Sequence, residues 1–129
     1  MPRHTGRVDI AAWVGGYERA WRDQDTEGLE QLFTPDATYL RGAYDEGLVG
    51  VEQIREFWPD DTPFRMTWDV VAVDGVTAVV RAEVHYLGSR PHEYRDLWVM
   101  RFAPDGRVEH FEEWAHWPDM SSGLQSASS

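Results

Sequence analysis

The segment RVEHFEEWAHWP, residues 107–118, concentrates side chains that could transfer protons or bind a metal. Its residues alternate as in a β-strand, where successive side chains point to opposite faces of the sheet. Glu113 therefore lies on one face, and His110, Glu112 and Trp114 lie on the other. The chemistry open to this segment depends on which face points into the protein.

A second carboxylate, Asp96, lies in the run HEYRDLWVMRF, and the two carboxylates can work together if Asp96 and Glu113 both point inward. Two carboxyl groups in an apolar interior shift each other's pKa, so that one of them can exchange a proton near neutral pH. Arg41 is the candidate counter-charge. Tyr17 and Tyr39 are candidate donors to a substrate carbonyl or developing enolate. The structural alternatives are an ion pair with Arg41, carboxylates at a wet rim, and tyrosines that only pack in the core.

Large aromatic side chains are the candidate walls of a pocket around these groups, since the chain has seven tryptophans. Any single one is as well explained by core packing. Together they favour a hydrophobic and partly planar small molecule as the ligand. The predicted substrate-binding residues are Trp21, Trp58, Trp68, Tyr94, Trp98, Met100 and Phe111.

Several other functions are disfavoured by composition. The net charge of −11 and the lack of any basic run argue against binding to nucleic acid or to an anionic membrane surface. The chain has no cysteine, and His85, His110 and His116 fall on the outer face without the spacing of a zinc site, so no metal and no cofactor are expected. Without a long apolar run or a signal-peptide core, a soluble cytoplasmic protein is expected.

Helices are predicted in the first half of the chain. Residues 8–25 have helical spacing of apolar side chains, and a close packing partner would explain the Gly15-Gly16 pair. The segment DTEGLEQLF begins a second helix, capped by Asp25 or Thr26, and GVEQIREFW forms a third that ends at Pro59. The apolar face of the first helix is predicted from Val8, Ala11, Ala12, Tyr17, Ala20 and Trp21.

From residue 64 onward the pattern has a period of two. Four strand-length runs are separated by turn signals such as Asp74-Gly75 and APDG. Helices followed by antiparallel strands predict an α+β fold. We expect residues 1–7 to be a flexible N-terminus, residues 8–118 to form one domain, and residues 119–129 to be a disordered polar tail.

The segment YERAWRDQDTEGLEQLFTPDATYLRGAYDEGLVGVEQIREFW, together with VMRFAPDGRV, resembles the nuclear-transport-factor-2-like (NTF2-like) superfamily, in its ketosteroid-isomerase and SnoaL-like branch. The resemblance spans about residues 8–117. It implies a cone-shaped α+β barrel in which N-terminal helices pack on a curved antiparallel sheet. The superfamily contains isomerases, dehydratases, epoxide hydrolases, polyketide cyclases and binding proteins, so function must be argued from the pocket.

The resemblance also assigns positions and, with them, the register of the strands: if Arg41 and Trp98 face the pocket, Asp96 and Glu113 are predicted to point inward as well. The oxyanion-donating tyrosine of the isomerases falls on Tyr17, their base aspartate on Arg41 and their second oxyanion donor on Trp98. Since arginine cannot accept a proton at neutral pH, steroid isomerisation by that mechanism is not expected. The epoxide hydrolases use an Asp-Arg-Asp set with the arginine two residues from one aspartate on the same strand, and here Tyr94 stands two residues before Asp96.

The predicted function is a cofactor-independent small-molecule enzyme that transfers protons, as an isomerase, dehydratase or polyketide-cyclase-like enzyme. The base would be Asp96 or Glu113. Two alternatives remain open. One is a non-catalytic binding domain for a hydrophobic ligand, and the other is epoxide-hydrolase-like water activation by Arg41 with both carboxylates. Apolar residues among the charges of the outer face, such as Leu97 and Trp114, predict a homodimer through that face.

Overall fold

The computed structural model describes residues 9–59, 61–88 and 92–118. The predicted N-terminal segment before Asp9, which includes Val8, and the predicted polar tail lie outside these described residues. Two α-helices, one short 3₁₀ helix and six strands make up the described part. In chain order they are α1 Ile10–Asp23, the 3₁₀ helix Glu27–Gln31, β1 Phe33–Leu40, β2 Leu48–Val49, α2 Val51–Phe57, β3 Phe64–Asp74, β4 Thr77–Tyr86, β5 His92–Phe102 and β6 Val108–His116.

Helix α1 is the element that covers the sheet. The carboxylate of Asp9 caps its N-terminus by accepting a hydrogen bond from the N–H of Ala12 at 3.0 Å. At the other end, Gln24 adopts a left-handed conformation with φ of 55°. A Cβ on Gly16 would lie 3.0 Å from Leu32, which accounts for glycine at this close approach.

The buried face of α1 differs from the predicted face. Ala11 and Ala12 are exposed. The helix begins at Ile10, and spacing by three and four residues from that position brings a different set into the core. The buried residues of α1 are Ile10, Trp13, Val14, Tyr17, Ala20 and Trp21. The predicted second helix is a single 3₁₀ turn, and its Phe33 begins β1 instead.

The six described strands form one sheet in the order β2-β1-β6-β5-β4-β3. The predicted α+β class is confirmed, with two differences in detail. Strand β1 runs parallel to β6, so the sheet is mixed, and the sheet is open. The three antiparallel hairpin pairings from β3 to β6 follow the predicted turns, and Gly75 and Gly106 adopt the positive φ that those turns require.

The faces of β5 and β6 follow the predicted register. Asp96, Trp98 and Phe111 point into the core, whereas Leu97 is 41% and Trp114 is 50% exposed on the outer face. His110 also lies on the outer face, where its imidazole bonds to Thr38 and Glu112. Neither described helix is long and apolar enough to span a bilayer.

Candidate active site

Three strands and one helix bring four polar side chains together between the sheet and α1. Asp96 on β5 pairs with Ala115, while Trp98 pairs with Glu113 on β6, so Asp96 and Glu113 are diagonal neighbours on the inner face. On the far side of β6, Tyr39 of β1 pairs with Phe111. Helix α1 supplies Tyr17, whose ring stacks on Phe111 with 5.7 Å between centroids.

The tyrosines and Glu113 form a hydrogen-bonded chain. The hydroxyl of Tyr39 donates to Oε1 of Glu113 in a short hydrogen bond. The hydroxyl oxygens of Tyr17 and Tyr39 lie 3.1 Å apart. Because a phenol has only one proton and Tyr39 gives its proton to Glu113, Tyr17 is the donor to Tyr39. The hydrogen bonds therefore run in one direction, from Tyr17 on α1 through Tyr39 to the carboxyl group of Glu113.

Asp96 is held in position by a residue of its own strand. The indole N–H of Trp98 donates to Oδ2 of Asp96 at 2.9 Å, and both side chains are buried. An indole nitrogen can only donate, so Oδ2 must be an acceptor. The other oxygen, Oδ1, is buried and receives no hydrogen bond of standard geometry from the described residues. The neighbouring Glu113 and the N–H of Trp114 are near enough to act on this carboxyl group.

Burial raises the pKa of both carboxyl groups. For Glu113, burial is the largest cause and the negative charge of Asp96 is the second, so its pKa is well above the ordinary value, although the hydrogen bond from Tyr39 opposes the shift. Burial also raises the pKa of Asp96, but hydrogen bonds from Glu113 and from the indole of Trp98 oppose that rise. The upward shift is the larger for Glu113, so Glu113 is the member of the pair that holds a proton more readily.

The two tyrosines that form hydrogen bonds toward Glu113 stay protonated. Burial and the charge of Glu113 raise the pKa of Tyr39 and of Tyr17 well above the ordinary value of 10.0. Neither hydroxyl is a base near neutral pH. Both instead hold the carboxyl pair in position.

Arg41 does not lie where we predicted it. Strand β1 ends at Leu40, one residue before Arg41 would come to lie beside Glu113. The chain then turns away, and the guanidinium forms two hydrogen bonds of 2.9 Å with the carboxylate of Asp45. The prediction that Arg41 is the counter-charge of the pair is wrong for this conformation, because the local partner four residues ahead holds the side chain at the surface.

Five of the seven predicted wall residues are buried in the core, and two are only partly buried. Trp98, Met100 and Phe111 are buried beneath α1, and the ring of Tyr17 lies 4.9 Å from that of Trp98. Trp21 stacks on Phe64 at the end of the same helix, and Trp58 donates its indole N–H to the carbonyl of Ala20. Trp68 and Tyr94 are only partly buried.

Access differs between the four polar groups. Tyr17, Tyr39 and Asp96 are almost completely buried. Glu113 is partly exposed, and so are Tyr94 and Trp68 on the same inner face of neighbouring strands. A small molecule that approaches the pair would therefore meet Glu113 first.

A groove of about 520 Å³ lies elsewhere, between α1, the 3₁₀ helix and the turn before β6. It contains neither member of the carboxyl pair. Two of its carboxylates already have structural roles, because Asp9 caps α1 and Asp25 accepts a hydrogen bond from the N–H of Gly28. The described residues contain no group of three or more His, Asp or Glu side chains able to hold a metal ion.

One feature of the site was missed in the sequence. The two-residue spacing of Asp96 and Trp98 puts both side chains on one face of β5, where the indole can reach the carboxylate. The signal was present in the run DLW, but Trp98 was interpreted as a wall of the pocket and as the position of the isomerases' second oxyanion donor, not as a hydrogen-bond donor to Asp96.

Known proteins resemble this chain in sequence or in fold. The SnoaL-like domain family matches residues 14–111. No curated protein is a significant sequence match. The fold resembles a steroid delta-isomerase from Pseudomonas aeruginosa, with 20% identity, a TM-score of 0.64 and coverage of 94% of this chain and 96% of that chain.

Two other similar structures have different chemistry. One is an epoxide hydrolase from M. tuberculosis of the LEH-like type, with 14% identity, a TM-score of 0.64 and coverage of 89% and 88%. The other is SalBIII, an epoxide hydrolase/cyclase-like enzyme in pyran ring formation in salinomycin, with 16% identity, a TM-score of 0.66 and coverage of 82% and 89%. At these identities the likeness establishes the NTF2-like fold and leaves the reaction open.

Proposed function

Because the chain belongs to the SnoaL-like domain family, we propose that it is a cofactor-independent enzyme that transfers protons to and from an uncharged small molecule. The observation that carries this proposal is the pair of Asp96, which is buried, and Glu113, which is partly buried, with Trp98 donating a hydrogen bond to Asp96 and Tyr39 donating one to Glu113. Burying two carboxyl groups beside each other is costly for stability, and groups perturbed in this way cluster at functional sites. A domain that only bound an apolar ligand would gain nothing from this cost.

The pair is suited to act as a unit. In the resting state one proton lies between Glu113 and Asp96. When a substrate C–H or O–H gives a proton to Glu113, the proton already on Glu113 passes to Oδ1 of Asp96, so both carboxyl groups become neutral and the negative charge moves to the substrate. Return of one proton to another atom of the substrate, while the second proton goes back to its resting place on Glu113, completes an isomerisation, a dehydration or a ring closure. The indole of Trp98 keeps Asp96 oriented throughout.

The isomerase and cyclase-like neighbours support a proton-transfer enzyme, since both kinds of reaction need an acid and a base near the substrate. Water activation with Arg41 has less support. The guanidinium is bound to Asp45 at the surface and contacts neither carboxyl group of the pair. Uncharged, hydrophobic and partly planar molecules suit the surrounding aromatic side chains.

Proton transfer can be tested with a simple ketone. We expect the wild type to accelerate deuterium incorporation into the methyl group of 2-acetylnaphthalene in D₂O, measured by proton NMR. Glu113→Gln and Asp96→Asn keep the shape of the site and remove the titrating groups, and each should lower the rate at saturation by about a hundredfold or more.

The matched control is Glu112→Gln. Glu112 is the neighbouring carboxylate on the same strand, and it points to the outer face, so this variant should exchange at the wild-type rate. If the wild type binds the ketone but exchanges it no faster than Glu113→Gln does, the enzyme proposal fails. A binding domain for hydrophobic ligands would then take its place.

A further inference from the structure

We propose that Tyr94, and not Tyr17, donates the hydrogen bond to the ligand oxygen, and that the ligand is an uncharged carbonyl compound. This inference rests on the proposed function, because it names the substrate class and the electrophilic group of the same site. It departs from the family resemblance, which assigned that donor to Tyr17.

The hydrogen bonds of the cluster leave no donor for a ligand. The proton of Tyr39 goes to Glu113, and that of Tyr17 goes to Tyr39. The indole N–H of Trp98 goes to Asp96. Oδ1 of Asp96 receives no hydrogen bond of standard geometry from the described residues, and Glu113 is near enough to share its proton with this carboxyl group. A carbonyl oxygen placed against this cluster would therefore meet acceptor oxygens and no free hydrogen-bond donor, unless every hydrogen bond of the cluster reversed its direction.

Tyr94 is the exception. It lies on β5 two residues before Asp96, so both side chains project from the same inner face. Its ring is partly buried, and among the described residues its hydroxyl has no hydrogen-bond partner. The charges of Glu113 and Asp96 reach this hydroxyl, and together with burial they raise its pKa, so the proton stays in place for donation.

The two accessible groups complement each other. Glu113 exchanges a proton with the ligand, and Tyr94 donates a hydrogen bond to the oxygen on which negative charge develops. A carbonyl with an acidic C–H beside it fits this combination. An anionic ligand does not fit, because none of the described arginines contacts the pair and a carboxylate would meet the negative charge of Asp96.

The bound carbonyl can be observed directly. We would bind 2-naphthaldehyde, labelled with carbon-13 at the carbonyl, and record the infrared C=O stretch. The wild type should show a band shifted to lower frequency by the hydrogen bond. Tyr94→Phe should return the band to its position in an apolar solvent and weaken binding roughly two- to tenfold, the usual range for one neutral hydrogen bond. Tyr17→Phe should leave the band at the wild-type position.

Two control ligands separate the hydrogen bond from packing. 2-Methylnaphthalene has no carbonyl and should bind Tyr94→Phe as tightly as it binds the wild type, which also shows that the variant is folded. Tyr94→Leu, which lacks the hydroxyl as well, should give the same band position as Tyr94→Phe. 2-Naphthoate should bind the wild type at least tenfold more weakly than 2-naphthaldehyde at neutral pH.

Three results would each overturn the inference. They are a band that moves in Tyr17→Phe but not in Tyr94→Phe, no saturable binding of 2-naphthaldehyde to the wild type, and binding of 2-naphthoate as tight as that of the aldehyde. None of these measurements needs turnover. If the wild type binds the carbonyl ligands but does not accelerate proton exchange, the proposed function fails. The role of Tyr94 as hydrogen-bond donor is tested separately, by the frequency of the C=O band.

Discussion

Replacing Glu113 with glutamine should abolish a pH dependence of stability that the wild type carries. In the folded protein the pKa of Glu113 is raised well above its ordinary value of 4.5. The unfolded chain loses this proton near pH 4.5, whereas the folded protein keeps it to a higher pH. The stabilisation is therefore fully present below the unfolded pKa and is lost as the pH rises toward the folded pKa.

The size of this change in the free energy of unfolding follows from the ionisation of one carboxyl group. Each pH unit between the two pKa values changes the free energy of unfolding by about 1.4 kcal/mol. From pH 5 to pH 7 the wild type should lose at most about 2.5 kcal/mol from this source, the amount for a proton that the folded protein keeps throughout that range. In Glu113→Gln the amide nitrogen can donate to Asp96 and the amide oxygen can accept from Tyr39. The variant thus copies the protonated acid at every pH and should show no such loss.

The assay is urea unfolding of both proteins at constant ionic strength between pH 5 and pH 8. The difference in free energy of unfolding should grow steadily in favour of Glu113→Gln as the pH rises. Glu112→Gln is the control. Hydrogen bonds from His110 and Trp114 lower the pKa of Glu112, so its contribution to stability is fully present above its ordinary pKa of 4.5 and is lost only as the pH falls below that value. The difference between the wild type and Glu112→Gln should therefore stay constant between pH 5 and pH 8. A flat difference between the wild type and Glu113→Gln would refute the assignment of a shared proton to the pair.

Three further results are expected. Trp98→Phe removes the donor to Oδ2 of Asp96 and should cost about 1–3 kcal/mol of stability beyond the loss of packing, measured by urea unfolding and reversed in part when Asp96→Asn is added. Arg41→Ala should change proton exchange of 2-acetylnaphthalene by less than about threefold, because Arg41 contacts Asp45 and not the pair, and a hundredfold loss would place Arg41 back in the mechanism. The exposed indole of Trp114 on the outer sheet face predicts a homodimer, so light scattering should give a dimer mass that falls to the monomer mass in Trp114→Glu, whereas a wild-type monomer at micromolar concentration would contradict this.

The sequence pattern predicted the strands better than their partners. A period of two leaves only two registers for β5 and β6, and the family resemblance at Trp98 selected the one that places Asp96 and Glu113 on the inner face. The parallel pairing of β1 with β6 joins segments about seventy residues apart, as in the pair Tyr39 and Phe111. No local signal in either strand reports that pairing.

The errors at the site have local causes. The resemblance placed Arg41 in the pocket, at the position of the isomerases' base, but β1 ends at Leu40 and the carboxylate of Asp45 binds the guanidinium at the surface. The direction of the hydrogen bonds could not be read from residue types, since Tyr17 and Tyr39 each can donate or accept. The positions of the two hydroxyl oxygens relative to Glu113 show that Tyr39 donates its proton to Glu113 and that Tyr17 donates its proton to Tyr39.

The state of the carboxyl pair can be observed most directly by carbon-13 NMR of the side-chain carboxyl groups, with Glu113→Gln and Asp96→Asn used to assign the two signals. A titration from pH 3 to pH 9 should show the signal of Glu113 moving only well above the range near 4 that is usual for carboxyl groups, and it should move to lower pH in Asp96→Asn, where the neighbouring charge is gone. Ordinary titrations of both signals near 4 would mean that no proton is held between Asp96 and Glu113 at neutral pH, and would contradict the proposed mechanism.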